Sequence, residues 1–258
     1  MNPFAELSLS IPSSVMQTFV VIMTLFVVGG TLFDILHKRS AEYFFNNWRK
    51  ANKKGTREVA GGELGSLAVQ TLAVDVATSA EFCNPQRRIA HLLTMYGFLI
   101  YVITTVIMVF GYASADNPGP GLWPFLWYVG ALMVCAGGYW FWFFIRVDVA
   151  AEGHSPFRVV RADLFILSLL ASTTFGLLWA IFQSAGSSWT FFFLGLYLIG
   201  TTVLFGSVPW SKFSHMFFKP AAALQKRAEE ANGSRSNLPP PADRPAALGS
   251  ARRLPRHY

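Results

Sequence analysis

Five histidines and two cysteines are the side chains of this chain best suited to hold a metal or carry redox chemistry. Two of the histidines stand at the edges of long apolar runs. His91 opens one such run, in RRIAH, and His215 follows another, in SKFSHMFFKP. Neutral imidazoles at matching depth on two different helices are what ligation of a haem iron by two histidines needs. The porphyrin would stand edge-on between the helices, its propionates toward the interface. Arg87, Arg88 and Lys212 are near in sequence and carry the charge to neutralise propionates. A ligating imidazole gives its second nitrogen another partner; Ser211 or Ser214 is in range of His215, and Thr94 of His91. The plainer reading stands beside this one. Histidine is common at membrane boundaries, and Arg and Lys there set orientation. His37 lies at a similar boundary and is a spare candidate. His154, in a short loop beside Gly153, and His257, in the tail, are expected to face solvent.

The elements that must position these side chains follow from the distribution of charge. The chain is 53% hydrophobic and only 14% charged, against about a quarter charged in an ordinary soluble domain. Five runs are almost free of charge: 15–36, 89–112, 122–145, 164–183 and 189–208. Each is near the roughly 20 residues that cross about 30 Å of hydrocarbon as a helix. Backbone polar groups in lipid must be satisfied within their own segment, so helix is the expected state. The 21 Lys and Arg fall nine in 37–88, three in 146–163 and nine in 209–258. The segments 1–14, 113–121 and 184–188 have none. Positive charge stays inside. The expectation is therefore an all-α integral membrane protein, a five-helix bundle with its N-terminus outside and its C-terminus in the cytoplasm. The first run lacks a basic leader and a cleavage site, so it reads as a retained span. Trp123, Trp127 and Trp189 at outer ends, and Trp140, Trp142 and Trp210 at inner ends, read as headgroup-level anchors.

Between the runs, 64–80 is moderately apolar but holds Gln70 and Asp75. It reads as an amphipathic helix on the cytoplasmic face or a docking surface. Residues 228–258, rich in Pro, Arg, Ala and Ser, read as a disordered basic tail. Cys83 in a polar loop and Cys135 in an apolar run form no CxxC, so an iron–sulfur centre held by this chain alone is not expected. The net charge of +7 sits beside the spans, which points to anionic lipid rather than nucleic acid. Away from their ends the runs carry no Asp, Glu, Lys or Arg, which counts against a pump or permease. Glycines such as Gly97 and Gly176 read as close helix packing, with room for a flat macrocycle as the sharper alternative.

RRIAHLLTMYGFLIYVITTVIMV, RADLFILSLLASTTFGLLWAIF and KFSHMFFKP, taken in order, resemble the gamma-subunit cytochrome b of respiratory nitrate reductase and its wider superfamily. The short form with a basic tail is most similar to the membrane anchor associated with dissimilatory adenylylsulfate reductase. Residues 85–220 carry the resemblance, and 89–227 would be the cytochrome b-like region. It implies that His91 and His215 match the inner pair of haem ligands. The outer pair would fall on Tyr101, ten residues after His91, and Tyr197, eighteen before His215. Eighteen helical residues are about 27 Å and five full turns, so Tyr197 and His215 share a face if the helix runs on past Pro209. A pair of tyrosines is a poor b-haem site, so one inner haem b is expected and no outer one. The resemblance then implies an electron-transfer anchor in the bacterial inner membrane. It would link a cytoplasmic iron–sulfur or flavoprotein reductase to membrane quinone. The alternative is a non-redox anchor for the same kind of complex; a permease for sulfur oxyanions is third.

Overall fold

The computed structural model describes residues 1–37, 39–80, 82, 84–211, 215–236 and 238. Within these the regular structure is helical. In order the helices are α1 (Pro3–Leu7), α2 (Ser13–His37), α3 (Ser40–Lys54), α4 (Gly61–Gln70), α5 (Pro85–Gly111), α6 (Leu122–Trp140), α7 (Val147–Ala150), α8 (Leu164–Ser184), α9 (Thr190–Gly206) and α10 (His215–Asn232). Both α4 and α6 run on into wider π turns, Thr71–Val76 and Phe141–Ile145.

Four stretches are long and apolar enough to cross a membrane: Ser13–His37, Pro85–Gly111, Leu122–Ile145 and Arg161–Ser184. They match four of the apolar runs, and they make this a membrane protein. The fifth run forms α9, apolar but only 17 residues long. It ends at Gly206, where a turn begins; Ser211 N–H donates to the Ser207 carbonyl at 2.8 Å. The helix therefore does not run past Pro209. Tyr197 lies on α9 and His215 begins α10, so the shared helical face expected of them does not form. A proline cannot donate the next backbone bond, which explains the break.

The chain divides into two compact units. The first is Met1–Phe33 with Ile89–Phe213; the second is Asp34–Arg88 with Ser214–Tyr258. In the first unit the long helices approach through glycines. A Cβ placed on Gly97 would stand 2.7 Å from the Gly130 carbonyl oxygen, and one on Gly130 would stand 2.8 Å from that of Gly97. Lipid offers no hydrophobic drive between helices, so this close van der Waals packing is what holds α5 to α6. The space beside Gly97 is filled by backbone, and packing is its role. Outward faces stay apolar. On α5, Ile103 is 55% and Phe110 49% exposed, as suits side chains whose solvent is lipid.

The tryptophans divide differently from the anchor reading. Trp189 and Trp210 are exposed. Trp127 is fully buried, and its indole N–H donates to the Thr105 hydroxyl at 2.9 Å. Trp142 is also buried, beneath the Arg146 guanidinium 3.9 Å from its ring. Neither is at headgroup level by virtue of its own exposure; each is a packing residue with a partner for its polar or π surface.

In the second unit the chain is helical over Gly61–Gln70 and Thr71–Val76, and 77–80 lie beyond the helix. Its Asp75 receives two hydrogen bonds from Arg227 of α10, at 2.6 and 2.9 Å. Helix α10 continues to Asn232, five residues into the segment read as disordered. Ala228, Glu229 and Asn232 are buried there. The run AAALQKRAEEAN is made of strong helix formers, and that propensity outweighed the Pro-rich composition that follows it.

Candidate functional site

The basic end of α5 is built by local rules. Asn84 accepts from the Gln86 N–H at 2.9 Å, and Pro85 takes the first helical position, where its missing N–H costs nothing. Arg87 and Arg88 follow. Arg88 donates through Nε to the Thr78 carbonyl at 2.7 Å, so it ties down the turn before the helix. Arg87 is half-buried. These arginines belong to the second unit and His91 to the first. His91 is half-buried, in the second turn of α5. Thr94, its expected neighbour, donates its hydroxyl to the Ala90 carbonyl at 2.8 Å, which leaves the Thr94 oxygen free to accept. His215 is the first residue of α10, in the second unit. The side chain of His215, and all of Lys212, Ser214, Cys83 and His257, lie outside the described residues. His37 ends α2, exposed. His154 is exposed beside Glu152, with Nε2 3.5 Å from its carboxylate, in accord with the solvent-facing reading.

The two tyrosines at the outer positions sit in a dense aromatic cluster. Tyr101 is 5% and Tyr197 3% exposed. Tyr101 stacks on Trp127 with centroids 5.0 Å apart, and Tyr197 on Trp179 with centroids 5.6 Å apart. Phe4 meets both tryptophans edge-on. The Tyr101 hydroxyl covers Gly176, where a Cβ would stand 2.6 Å from it. The space beside Gly176 thus holds a tyrosine, and rings occupy the volume an outer macrocycle would need.

Sequence reasoning missed what closes that cluster. The segment 1–14 was expected to be a plain outer end, yet α1 is buried in the first unit. Asn2 caps it, accepting from the Phe4 N–H at 3.0 Å, and donates to the carbonyls of Tyr112 at 2.7 Å and Pro118 at 3.1 Å. Gln183 bridges the Pro3 carbonyl, 2.7 Å, and the Trp179 indole N–H, 3.0 Å. The signal was present: Asn followed by Pro is a helix start.

A third constellation lies where α6 gives way to α7. Arg146 Nη1 is 2.6 Å from Asp163 Oδ2, with both side chains nearly buried. Nη2 donates to the carbonyls of Pro156 at 3.1 Å and Arg158 at 2.8 Å. This residue was read as an orientation signal; it is also a clasp on the 146–163 loop. In the second unit, hydrogen bonding to Asp75 raises the pKa of Arg227. Hydrogen bonding to Arg57 lowers that of Glu63. Cys135 is a free thiol, half-buried, 3.6 Å from the Thr173 hydroxyl. Among the described residues no three His, Cys, Asp or Glu come together to hold a metal ion.

The chain is 24% identical over 210 residues to citrate utilization protein B of Escherichia coli, a match covering 74% of this chain and 52% of that protein. The chain thus spans about half the length of this curated relative. No family model matches it, and no solved structure does.

Proposed function

We propose that this chain is the membrane anchor and electron-transfer subunit of an oxidoreductase complex in a bacterial inner membrane, with one b-type haem on its cytoplasmic side. The observation that carries the reading is the contrast along α5. His91 stands half-buried at the basic end, while Tyr101, at the outer ligand position, is locked into ring packing. When bound, the haem supplies a one-electron relay. In this reading His91 and His215 would hold the iron, and Arg87, Arg88 and Lys212 would supply the charge to neutralise the propionates. The aromatic cluster keeps the outer half closed. Such a group would let electrons pass between a cytoplasmic iron–sulfur or flavoprotein reductase and quinone near the inner leaflet. A reduced-minus-oxidised spectrum of the purified protein tests this, with about one haem per chain expected. A folded protein without haem, from cells that supply haem to other cytochromes, would leave the non-redox anchor.

The resemblance carried by the three quoted segments favours adenylylsulfate reductase as the partner. The similarity to citrate utilization protein B favours a second reading, in which the partner belongs to organic-acid use. The stretch 38–88, which carries the semi-apolar segment 64–80, is longer than a connection between two spans requires. We expect it to dock the partner. Shortening it should abolish co-purification while the protein still inserts; a partner that stays bound removes this role.

The five-crossing topology belongs to the same proposal. At 17 residues α9 is about 25 Å long, a few ångströms short of the hydrocarbon. The turn of Ser207, Val208 and Pro209 is buried and extends its reach, and a modest mismatch is absorbed by local thinning. A reporter fused after Asn232 should be cytoplasmic, and one inserted near Asn117 periplasmic. Should α9 fail to cross, the first fusion reports from the periplasm.

A further inference from the structure

The most strongly two-faced helix of the second unit is α3, which the sequence reading passed over in favour of 64–80. One side of α3 is packed. Ala51 is buried and Ala41, Phe44 and Trp48 are half-buried, at the three- and four-residue spacing of a single helix face. The rest is open. Tyr43 is 74% and Phe45 56% exposed in its first two turns. Arg49, Lys50, Lys53 and Lys54 are all exposed in its last two, against a single acidic residue, Glu42. Large exposed aromatics and a cationic cluster on one short helix need a counterpart that is apolar at one depth and anionic at another.

Chain connection says what that counterpart is. α2 ends at His37 and α3 begins at Ser40. Three steps of chain reach at most about 11 Å, so the start of α3 is tethered to the end of a membrane-spanning helix. The aromatic turns come first along α3 and the cations after them.

We propose that α3 is a surface anchor for anionic phospholipid. Tyr43 and Phe45 enter the headgroup–acyl boundary, and Arg49, Lys50, Lys53 and Lys54 bind lipid phosphates. This rests on the membrane reading of α2 and is independent of the haem. Each cation near an anionic leaflet adds attraction that salt screens. The surface thereby favours phosphatidylglycerol- or cardiolipin-rich bilayers.

The test uses the full chain in nanodiscs, with nitroxides placed singly by Tyr43→Cys, Phe45→Cys and Asn46→Cys in a background of Cys83→Ser and Cys135→Ser. Collision with oxygen, which concentrates in lipid, is compared with collision with a water-soluble nickel chelate. With phosphatidylglycerol present, the oxygen-to-nickel ratio at Tyr43 and Phe45 should be about tenfold that in pure phosphatidylcholine. Raising salt from about 0.1 M to about 1 M, which shortens the Debye length from about 10 Å to about 3 Å, should reverse it. Salt is the perturbation of choice because neutralising all four cations also weakens the orientation signal. A milder pair, Lys53→Gln with Lys54→Gln, should give an intermediate ratio. Ratios at Tyr43 and Phe45 that equal a water-exposed value in both lipids overturn the proposal. So does protection that appears only when an acidic partner protein is added, which would make this a protein-docking face. Neither outcome touches the haem spectrum, so failure here and failure of the electron-transfer reading are separable.

Discussion

Substituting His91 or His215 by alanine is expected to abolish the b-type spectrum or convert it to a five-coordinate one, whereas Tyr101→Phe and Tyr197→Phe leave it unchanged. The effect is large because each imidazole would supply one of the two axial bonds. Along α5 the next group at an expected ligand position is Tyr101, and its ring is stacked on Trp127, away from the basic end. The phenylalanine variants keep both stacks, since each deletes only a hydroxyl. His37→Ala should be silent as well: His37 is exposed at the end of α2 and matches no ligand of the cytochrome b superfamily. Each variant is checked for membrane insertion and for an unaltered unfolding midpoint, so that loss of haem is not loss of fold. A spectrum that survives both histidine changes removes His91 and His215 from the site. Two haems per chain would mean that the aromatic cluster opens to admit a macrocycle, against its packing.

The largest stability effect is expected at Arg146. Its guanidinium is held by Asp163, by the carbonyls of Pro156 and Arg158, and by the Trp142 ring. Asp163 in turn accepts from the Val160 N–H at 3.0 Å. Removing one member of a buried ion pair strands the other, at a cost of about 3–5 kcal/mol. Arg146→Ala should therefore lower the unfolding midpoint in detergent by many degrees, and Asp163→Asn should do so to a similar extent. Replacing both by leucine is expected to cost less than the two single losses together, because no charge is left unpaired. Arg146→Lys should recover little. An ammonium is a point charge and cannot reach the carboxylate and two carbonyls with the geometry of a planar fork. An Arg146→Ala protein with an unchanged midpoint would show that the clasp is solvated in the membrane and contributes nothing.

Hydropathy is a local property, and what it controls was legible along the chain. Four apolar runs became helices of spanning length with ends within a few residues of those expected, since a charge-free stretch in lipid has no conformation open to it but helix. The confinement of Lys and Arg to the segments 37–88, 146–163 and 209–258, and the positions of His91 and His215 beside apolar runs, also needed nothing beyond the sequence. The helical residues 228–232 were read as part of a disordered tail, because the proline-rich residues after them dominated the composition and hid the helix-forming run before it.

Burial and partnership are relations between distant residues, and only the tertiary structure decided them. Trp127 and Trp189 are both tryptophans near an outer helix end, yet one is buried and the other 57% exposed. The difference is that α1, more than a hundred residues away in the chain, brings Phe4 against Trp127. Asp75 helped make its segment read as a surface helix or docking face, and only the fold brought Arg227, 152 residues on, to its carboxylate. Arg146 was a topological charge in the sequence and became a clasp once the chain from 156 to 163 folded back over it. Gly97 could have faced a cofactor or a helix, and the Gly130 backbone opposite it made the choice. In each case the sequence sets the chemistry a side chain can offer, and the fold sets what stands within its reach, because contact energies fall to nothing within a few ångströms.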